Sequence, residues 1–368
     1  MTINTPQDPH ETDPLPVDPG DETTLEQKEV AGLSQGQIVR QRFLRHRGGM
    51  ISVGILILIL LLAATSIGWG PIPGWWKYTY FDTYAPPEGA RATLSVLWIG
   101  GHDFFSMGGF PFGADGERGY DNFAQVMRGI QQTLVIVVAM GIISTVIGVV
   151  LGALAGYYRG WVDSVVMRFT DLMITLPIIL VTAVLGRTLG FTGVWSVALA
   201  LGLLSWTSLA RLVRAEFLTL REREFVDAAR VAGASAPRII FKHILPNCVG
   251  VIVVNVTLTV SNGILVEAAL SFLNFGIQFP DVSLGSLLSH YQGRILTGEP
   301  YLFLWPGVFI ILIVLCLNFI GDGLRDAFDP RQKRIPKARE LRATRAKDRA
   351  EETRMSTAMG PGDLKDPL

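Results

Sequence analysis

The residues whose types and spacing are hardest to explain as a plain connection lie between Glu222 and Pro246. Glu222, Glu224 and Asp227 put negative charge near the amino end of a short helix, which suits its dipole, and Gly233 stands where a left-handed terminating residue is wanted. Ser235 is placed to cap a second short helix, Pro237 fits its first turn and Pro246 limits its end. Phe225, Ala228, Ala229 and Ala232 recur at helical spacing and build one face of little bulk on the first helix. The chemistry such a face offers is close docking, not bond making. It can fold back onto the chain's own helices or enter a groove on another protein, and periodicity leaves both readings open.

Bond-making constellations are missing elsewhere. The sequence has no Gly-x-x-x-x-Gly-Lys-Ser/Thr loop to cradle nucleotide phosphates, no His-Glu-x-x-His metal helix and no Gly-x-Ser-x-Gly nucleophile elbow. His10, His46, His102, His243 and His290 are scattered through tails and loops. Cys248 and Cys316 sit in separate apolar stretches without ligand spacing and read as buried, inert thiols. No catalytic residue, no metal site, no cofactor held by this chain and no nucleic-acid partner are expected. Ionisable or amide side chains at membrane depth remain as functional candidates, because burying them in lipid is costly. Glu267 leads them, for a polar pathway or for a carboxylate satisfied by a neighbouring helix. Asn262, Asn255 and Asn318 read as interhelical hydrogen bonders or pathway lining. Asp171 and Arg168, three residues apart, read as a local pair.

The elements that would position these residues are membrane spans. Of 368 residues, 49% are hydrophobic and 17% charged, which is too apolar for an ordinary soluble domain. Net charge is zero, but residues 8–29 are acidic and residues 325–349 hold ten Lys and Arg. Residues 1–49 are assigned to a disordered tail, since their first 35 are polar and lack apolar periodicity. The uncharged run from Met50 to Gly68 is long enough to cross a bilayer. A long mixed loop (69–120) with interfacial Trp and Tyr follows. Apolar stretches near 131–156, 165–186, 193–212, 249–273 and 302–320 then make six spans in all, with the core at 121–330 and a basic tail at 331–368. The fold class is all-α integral membrane. Gly141, Gly148, Gly152 and Gly156 share a face that lets helices approach closely, and Pro177 should bend the third span. Lys and Arg cluster at Arg40–Arg47, around Arg159 and Arg168, from Arg211 to Pro246 and after Arg325, which predicts that this side, with both termini, is cytoplasmic.

Asp227-Ala228-Ala229, Gly233 and then His243-Ile244-Leu245-Pro246, at this spacing, resemble the Glu-Ala-Ala loop by which permeases of binding-protein-dependent ABC importers contact their ATPase. Gly156 to Pro177, Ala210-Arg211-Leu212-Val213-Arg214, Glu267 to Leu273 and Gly321 to Asp326 with Asp329-Pro330 are similar to the dipeptide and oligopeptide (peptide/nickel) permease subfamily, and the long first loop to its second permease type. The resemblance implies a MetI-like inner-membrane permease that forms half of a translocation pathway. It implies Glu224, Asp227, Ala228, Ala229, Ala232, Gly233, Ser235, Leu245 and Pro246 as the ATPase-coupling loop. The implied partners are a second permease subunit, ATP-binding subunits that use the ATP, an extracytoplasmic substrate-binding protein and membrane lipid. Asp227 stands where the family usually has Glu, which leaves the docking role in place, whereas departures in Phe112 to Asp121, at Asn274 and in Phe279 to Leu284 bear on the substrate, which could be a peptide, nickel or another small solute. A lipid- or peptide-acting membrane enzyme and a non-transporting assembly or sensor protein are the readings from other classes.

Overall fold

A computed structural model describes residues 35–84, 110–189, 193–296 and 299–329. The greater part of the expected tails and the middle of the long first loop lie outside the described residues. The described chain is helical, and its only β pairings are isolated bridges such as Ala114 with Asp121.

Helix α1 (Gln35–Arg45) meets α2 (Arg47–Ser66) at a corner on His46, whose extended backbone breaks the helix while its Nδ1 accepts from the Gly49 amide at 2.9 Å. Residues 35–45 fall within the tail expected from composition. They are helical instead because they have a surface to pack on: Phe43 lies over Gly49 and Gly323, and Arg42 donates to the Asp329 carbonyl at 3.1 Å.

Helix α3 (Asn122–Tyr158) starts at Asp121, whose carboxylate accepts from the amides of Phe123 and Ala124 as an amino-terminal cap. The third apolar stretch is two helices, α4 (Gly160–Thr175) and α5 (Ile178–Leu189), meeting at 82°. Pro177 is the cause, since it lacks a donor and forces Leu176 into an extended conformation. The fourth is α6 (Val194–Leu204) and α7 (Thr207–Arg221), bent by 41°. Helix α8 (Glu224–Val231) precedes α9 (Ala236–Phe272), and α10 (Leu284–Tyr291) with a short 3-10 turn leads into α11 (Pro300–Phe328). Helices α2, α3, α9 and α11 are each long and apolar enough to span a membrane, and the number reaches the six expected if each bent pair is one span.

The centre of the bundle is α3, which packs on α7, α6, α9 and α2. Its glycine face decides this. A Cβ on Gly152 would lie 2.5 Å from the Ala210 carbonyl oxygen, and one on Gly156 would lie 2.5 Å from Phe217 Cβ. Gly148 meets Trp206 and Leu209 in the same way, and Gly141 meets Val260. The row is therefore chiefly a packing seam between α3 and α7. Lipid tails are as apolar as leucine, so helices in a bilayer gain chiefly from such contact between surfaces.

Gly152→Val should lower the thermal unfolding midpoint of the protein in detergent, at a cost of about 1–3 kcal/mol for overpacking. The same change at Gly54, where an added side chain would meet no neighbouring element within 4 Å, should leave it unmoved. Equal behaviour of the two variants would show that the seam is not close-packed.

Candidate functional site

Helix α8 stands at the end of the bundle where α3, α7 and α9 converge. Its mount is charged. Arg221 donates to the Tyr157 carbonyl and lies over the Tyr157 ring, while Glu222 accepts from Arg159 at 2.6 Å. Arg214 grips Asp163 with two hydrogen bonds of 2.5 and 2.6 Å, and this pair ties α4 to α7. Asp171 pairs with Arg211 of α7 and not with Arg168, which corrects the local pair expected from spacing. Helices α4 and α7 pack together there, so an arginine from the neighbouring helix reaches the carboxylate.

Glu224 and Asp227 lie in the first turn of α8, where negative charge favours the helix dipole, and Asp227 also pairs with Arg230 at 2.8 Å. The end is a Schellman closure. Gly233 has φ +78°, its amide donates to Arg230 and the Ala234 amide donates to Ala229, as a left-handed residue after the helix requires. Ser235 occupies the cap position before the next helix with extended backbone, although its hydroxyl makes no cap bond.

The docking face inferred from periodicity divides in two. Val226 is fully buried among Val213, Phe217, Ile239, Ile240 and Ile244, with Ala229 packed against the same cluster. Phe225, Ala228, Ala232 and Gly233 are exposed, and so is Val231, at 90%. Sequence reasoning missed Val226 as the inward anchor, although its spacing of three from Ala229 was the available signal. It also missed Val231, and Phe241, which is 65% exposed on the following segment.

Pro246 does not end a second short helix. The chain from Ala236 runs on as α9, with a π-helical turn at Ile239–Ile244 in which the Leu245 amide reaches back to the Ile240 carbonyl. The wider turn relaxes the carbonyl that an α-helix would press against the proline ring, so the helix passes through. Leu245 packs into the same cluster as Val226, and Pro246 is exposed.

Glu267 lies at the other end of α9, completely buried. Its carboxylate accepts from Ser271 at 2.7 Å and from Thr133 at 3.3 Å, and the Thr133 oxygen accepts from the Leu284 amide at 3.3 Å. The carboxylate is thus a staple between α3, α9 and α10, with hydroxyls as partners. Asn318 accepts from Ser261 at 3.0 Å, which is an interhelical bond. Asn262 is exposed.

The remaining charge at this end holds the connecting segments. Asp281 binds Arg128 at 2.8 Å and Gln132 at 2.9 Å, while Gln131 donates to the Ala63 and Gly68 carbonyls. Arg294 pairs with Asp115, Glu117 and Glu299. Arg118 donates to His290 Nε2 at 3.0 Å beside a 310 Å³ open cavity, and burial, then Arg118, keep the imidazole pKa low. Asp121 is fully buried and its carboxyl is pushed up to about 6 by burial, against the opposing hydrogen bonds from Trp76 and the cap amides.

The described chain is thus an apolar bundle of long and bent helices that carries a surface helix mounted by ion pairs. The chain belongs to the family of binding-protein-dependent transport system inner membrane components, whose model matches residues 148–334. Residues 34–87 match the N-terminal TM domain of oligopeptide transport permease C. A peptide permease protein of Brucella ovis is 38% identical over 306 residues, covering 81% of this chain and 92% of that protein. The oligopeptide transport system permease protein OppC of Mycobacterium tuberculosis is 36% identical, covering 82% and 97%. OppC of Haemophilus influenzae is 34% identical, covering 84% and 93%. Among solved structures, chains of the MetNI methionine ABC transporter in two inward-facing crystal forms match at 20% and 21% identity, with TM-scores of 0.46 and 0.44, covering 56% of this chain and 96% of those. Family membership makes the chain a transport permease and not an enzyme.

Glu267→Leu should cost about 1–3 kcal/mol by leaving the Thr133 and Ser271 hydroxyls unpaired, whereas Glu267→Gln should nearly preserve the unfolding midpoint. A second expectation concerns pH. Asp121 binds its proton more tightly in the folded state, so its contribution to stability is full below the ordinary carboxylate pKa of 3.8 and is lost as pH rises through about 6. Unfolding midpoints measured from pH 4 to pH 7 should fall more steeply in the wild type than in Asp121→Asn. Parallel curves would refute this.

Proposed function

We propose that this chain is one of two permease subunits of an ATP-driven importer of di- or oligopeptides, and that α8 is the element through which separate ATP-binding subunits drive it. The observation that carries the reading is the division of α8. Val226 fixes the helix to the bundle, while Phe225, Ala228, Val231 and Ala232 offer water a small-to-medium apolar surface. Burying Val231 or Phe225 in a partner's groove is worth about 1.5–3 kcal/mol per side chain, and exposure has no benefit otherwise. The Schellman closure at Gly233 fixes the path of the chain as it leaves the helix.

The distribution of Lys and Arg supports a cytoplasmic location for α8 and both termini in the plasma membrane. The peptide assignment rests on the names of the relatives at 34–38% identity. A substrate-binding protein would deliver cargo at the far end, where Arg118, His290 and Arg294 surround the open cavity. Asn262, an amide on an open face of α9 between exposed Leu258 and Leu265, suits a water-lined path at the junction with the second permease subunit. The two end states are arrangements of one bundle, biased by the nucleotide state of the ATPases.

Gly233→Val places a β-branched residue at positive φ, which costs at least about 1–2 kcal/mol and deforms the tip. With no atom crowding the site, the bundle should insert and fold normally while peptide uptake by cells is lost. Val231→Asp should likewise reduce recovery of the ATPase on co-purification at least tenfold. Normal uptake in Gly233→Val, or cysteine crosslinks from Ala228 and Ala232 that never capture the ATPase, would refute the coupling role.

A further inference from the structure

We infer that the corner formed by α1 and the start of α2 is a binding site for anionic phospholipid headgroups, with Arg40, Arg45 and Arg47 as cationic contacts and Leu44 as the apolar one. The inference stands apart from the transport reading. It concerns which lipid the bundle holds, not what crosses it.

Helix α2 has 20 residues from Arg47, about 30 Å of rise, which equals the thickness of a hydrocarbon core. Arg47 therefore sits at the level of the headgroup phosphates, and α1 turns away from the span at His46 at that same level. Charge comes next. Between Glu29 and Asp82 the sequence has no Asp or Glu, while Arg40, Arg42, Arg45 and Arg47 fall within eight residues. Arg42 is used structurally, donating to the Asp329 carbonyl, and His46 lies 3.6 Å from Asp326. These contacts, with Phe43 over Gly49 and Gly323, fix α1 to the end of α11. The other three arginines are exposed on a corner that is held in place.

The apolar pattern then names the partner. Leu44 is 51% exposed, one helical turn from Arg40, and Ile51 is 63% exposed, one turn from Arg47. A leucine beside an arginine on an outward face gains nothing from water. At a bilayer surface the apolar chain reaches the acyl boundary while the guanidinium donates two parallel bonds to a phosphate. A phosphodiester on a lipid satisfies both halves of the pattern, and a free phosphate satisfies only one.

The experiment titrates the purified full chain in detergent with phosphatidylglycerol or phosphatidylcholine and counts bound lipid by native mass spectrometry. Arginine near an anionic surface contributes roughly a factor of five each. Arg40→Gln/Arg45→Gln/Arg47→Gln should therefore weaken phosphatidylglycerol binding about a hundredfold and leave phosphatidylcholine binding unchanged. The corresponding triple Lys variant should recover most of the loss, which a purely structural role would not allow. Equal phosphatidylglycerol binding by wild type and the Gln variant would overturn the proposal, as would equal affinity of the wild type for both lipids. A preference for phosphatidylglycerol that emerges only after deletion of residues 1–30 would also overturn it, by making the chain's own acidic segment the occupant. Displacement of bound lipid by inorganic phosphate at millimolar concentration would overturn the lipid as the specific ligand.

Discussion

The close approach of the α3 and α7 backbones along Gly148, Gly152 and Gly156 is the constraint on which the other elements depend. In a bilayer neither helix gains by hiding apolar surface, so the pair is held by dispersion between surfaces that must fit. That fit sets where α7 ends, and the end of α7 sets where α8 begins. The arginines of α7 then reach acceptors on α4 and α3 at positions fixed by the seam: Arg211 meets Asp171, Arg214 meets Asp163 and Arg221 meets the Tyr157 carbonyl. A glycine row that looks like mere packing thus positions the exposed surface helix α8.

The opposite end of α3 works by different physics. Asp121, Asn122, Gln125, Gln131, Gln132 and Thr133 are buried polar residues near the start of the helix. Most find partners on neighbouring helices or connecting segments, as with Trp76 on Asp121, Tyr291 on Gln125, Asp281 on Gln132 and Glu267 on Thr133. Buried polar groups gain little net stability but are expensive to leave unpaired. They therefore specify one arrangement of the segments more than they strengthen it. One helix is joined to its neighbours by shape at one end and by directional bonds at the other.

The spans were legible because uncharged apolar runs of this length are the chemistry a bilayer demands and water penalises. The α8 cap was legible because Gly233 after a short helix has one geometric use. What could not be read locally depended on a neighbour. Arg211 takes Asp171 from Arg168, and nothing within α4 announces it. Val226 points inward and Val231 outward because α7 and α9 cover one side of α8, a fact absent from the five-residue interval between them. Pro246 looked like a stop because a regular α-helix would make it one; the π turn at Ile239–Ile244 changes the hydrogen-bond register and removes the clash. Residues 35–45 looked like tail because their packing surface is supplied from the far end of the chain.

Helix α9 runs unbroken from Ala236 beside α8 to Phe272 beyond Glu267, 37 residues or about 55 Å. A rod of that length has no joint within the membrane to dissipate displacement, unlike the third span with its right-angled elbow at Pro177. A tilt of about 5° at the Ile244 end becomes a shift of about 3 Å at Glu267, where Thr133 and Ser271 grip the carboxylate. The two faces of the bundle are therefore joined by one continuous helix. On the proposed reading, a displacement of α8 would be carried along this one helix to the segments around Glu267.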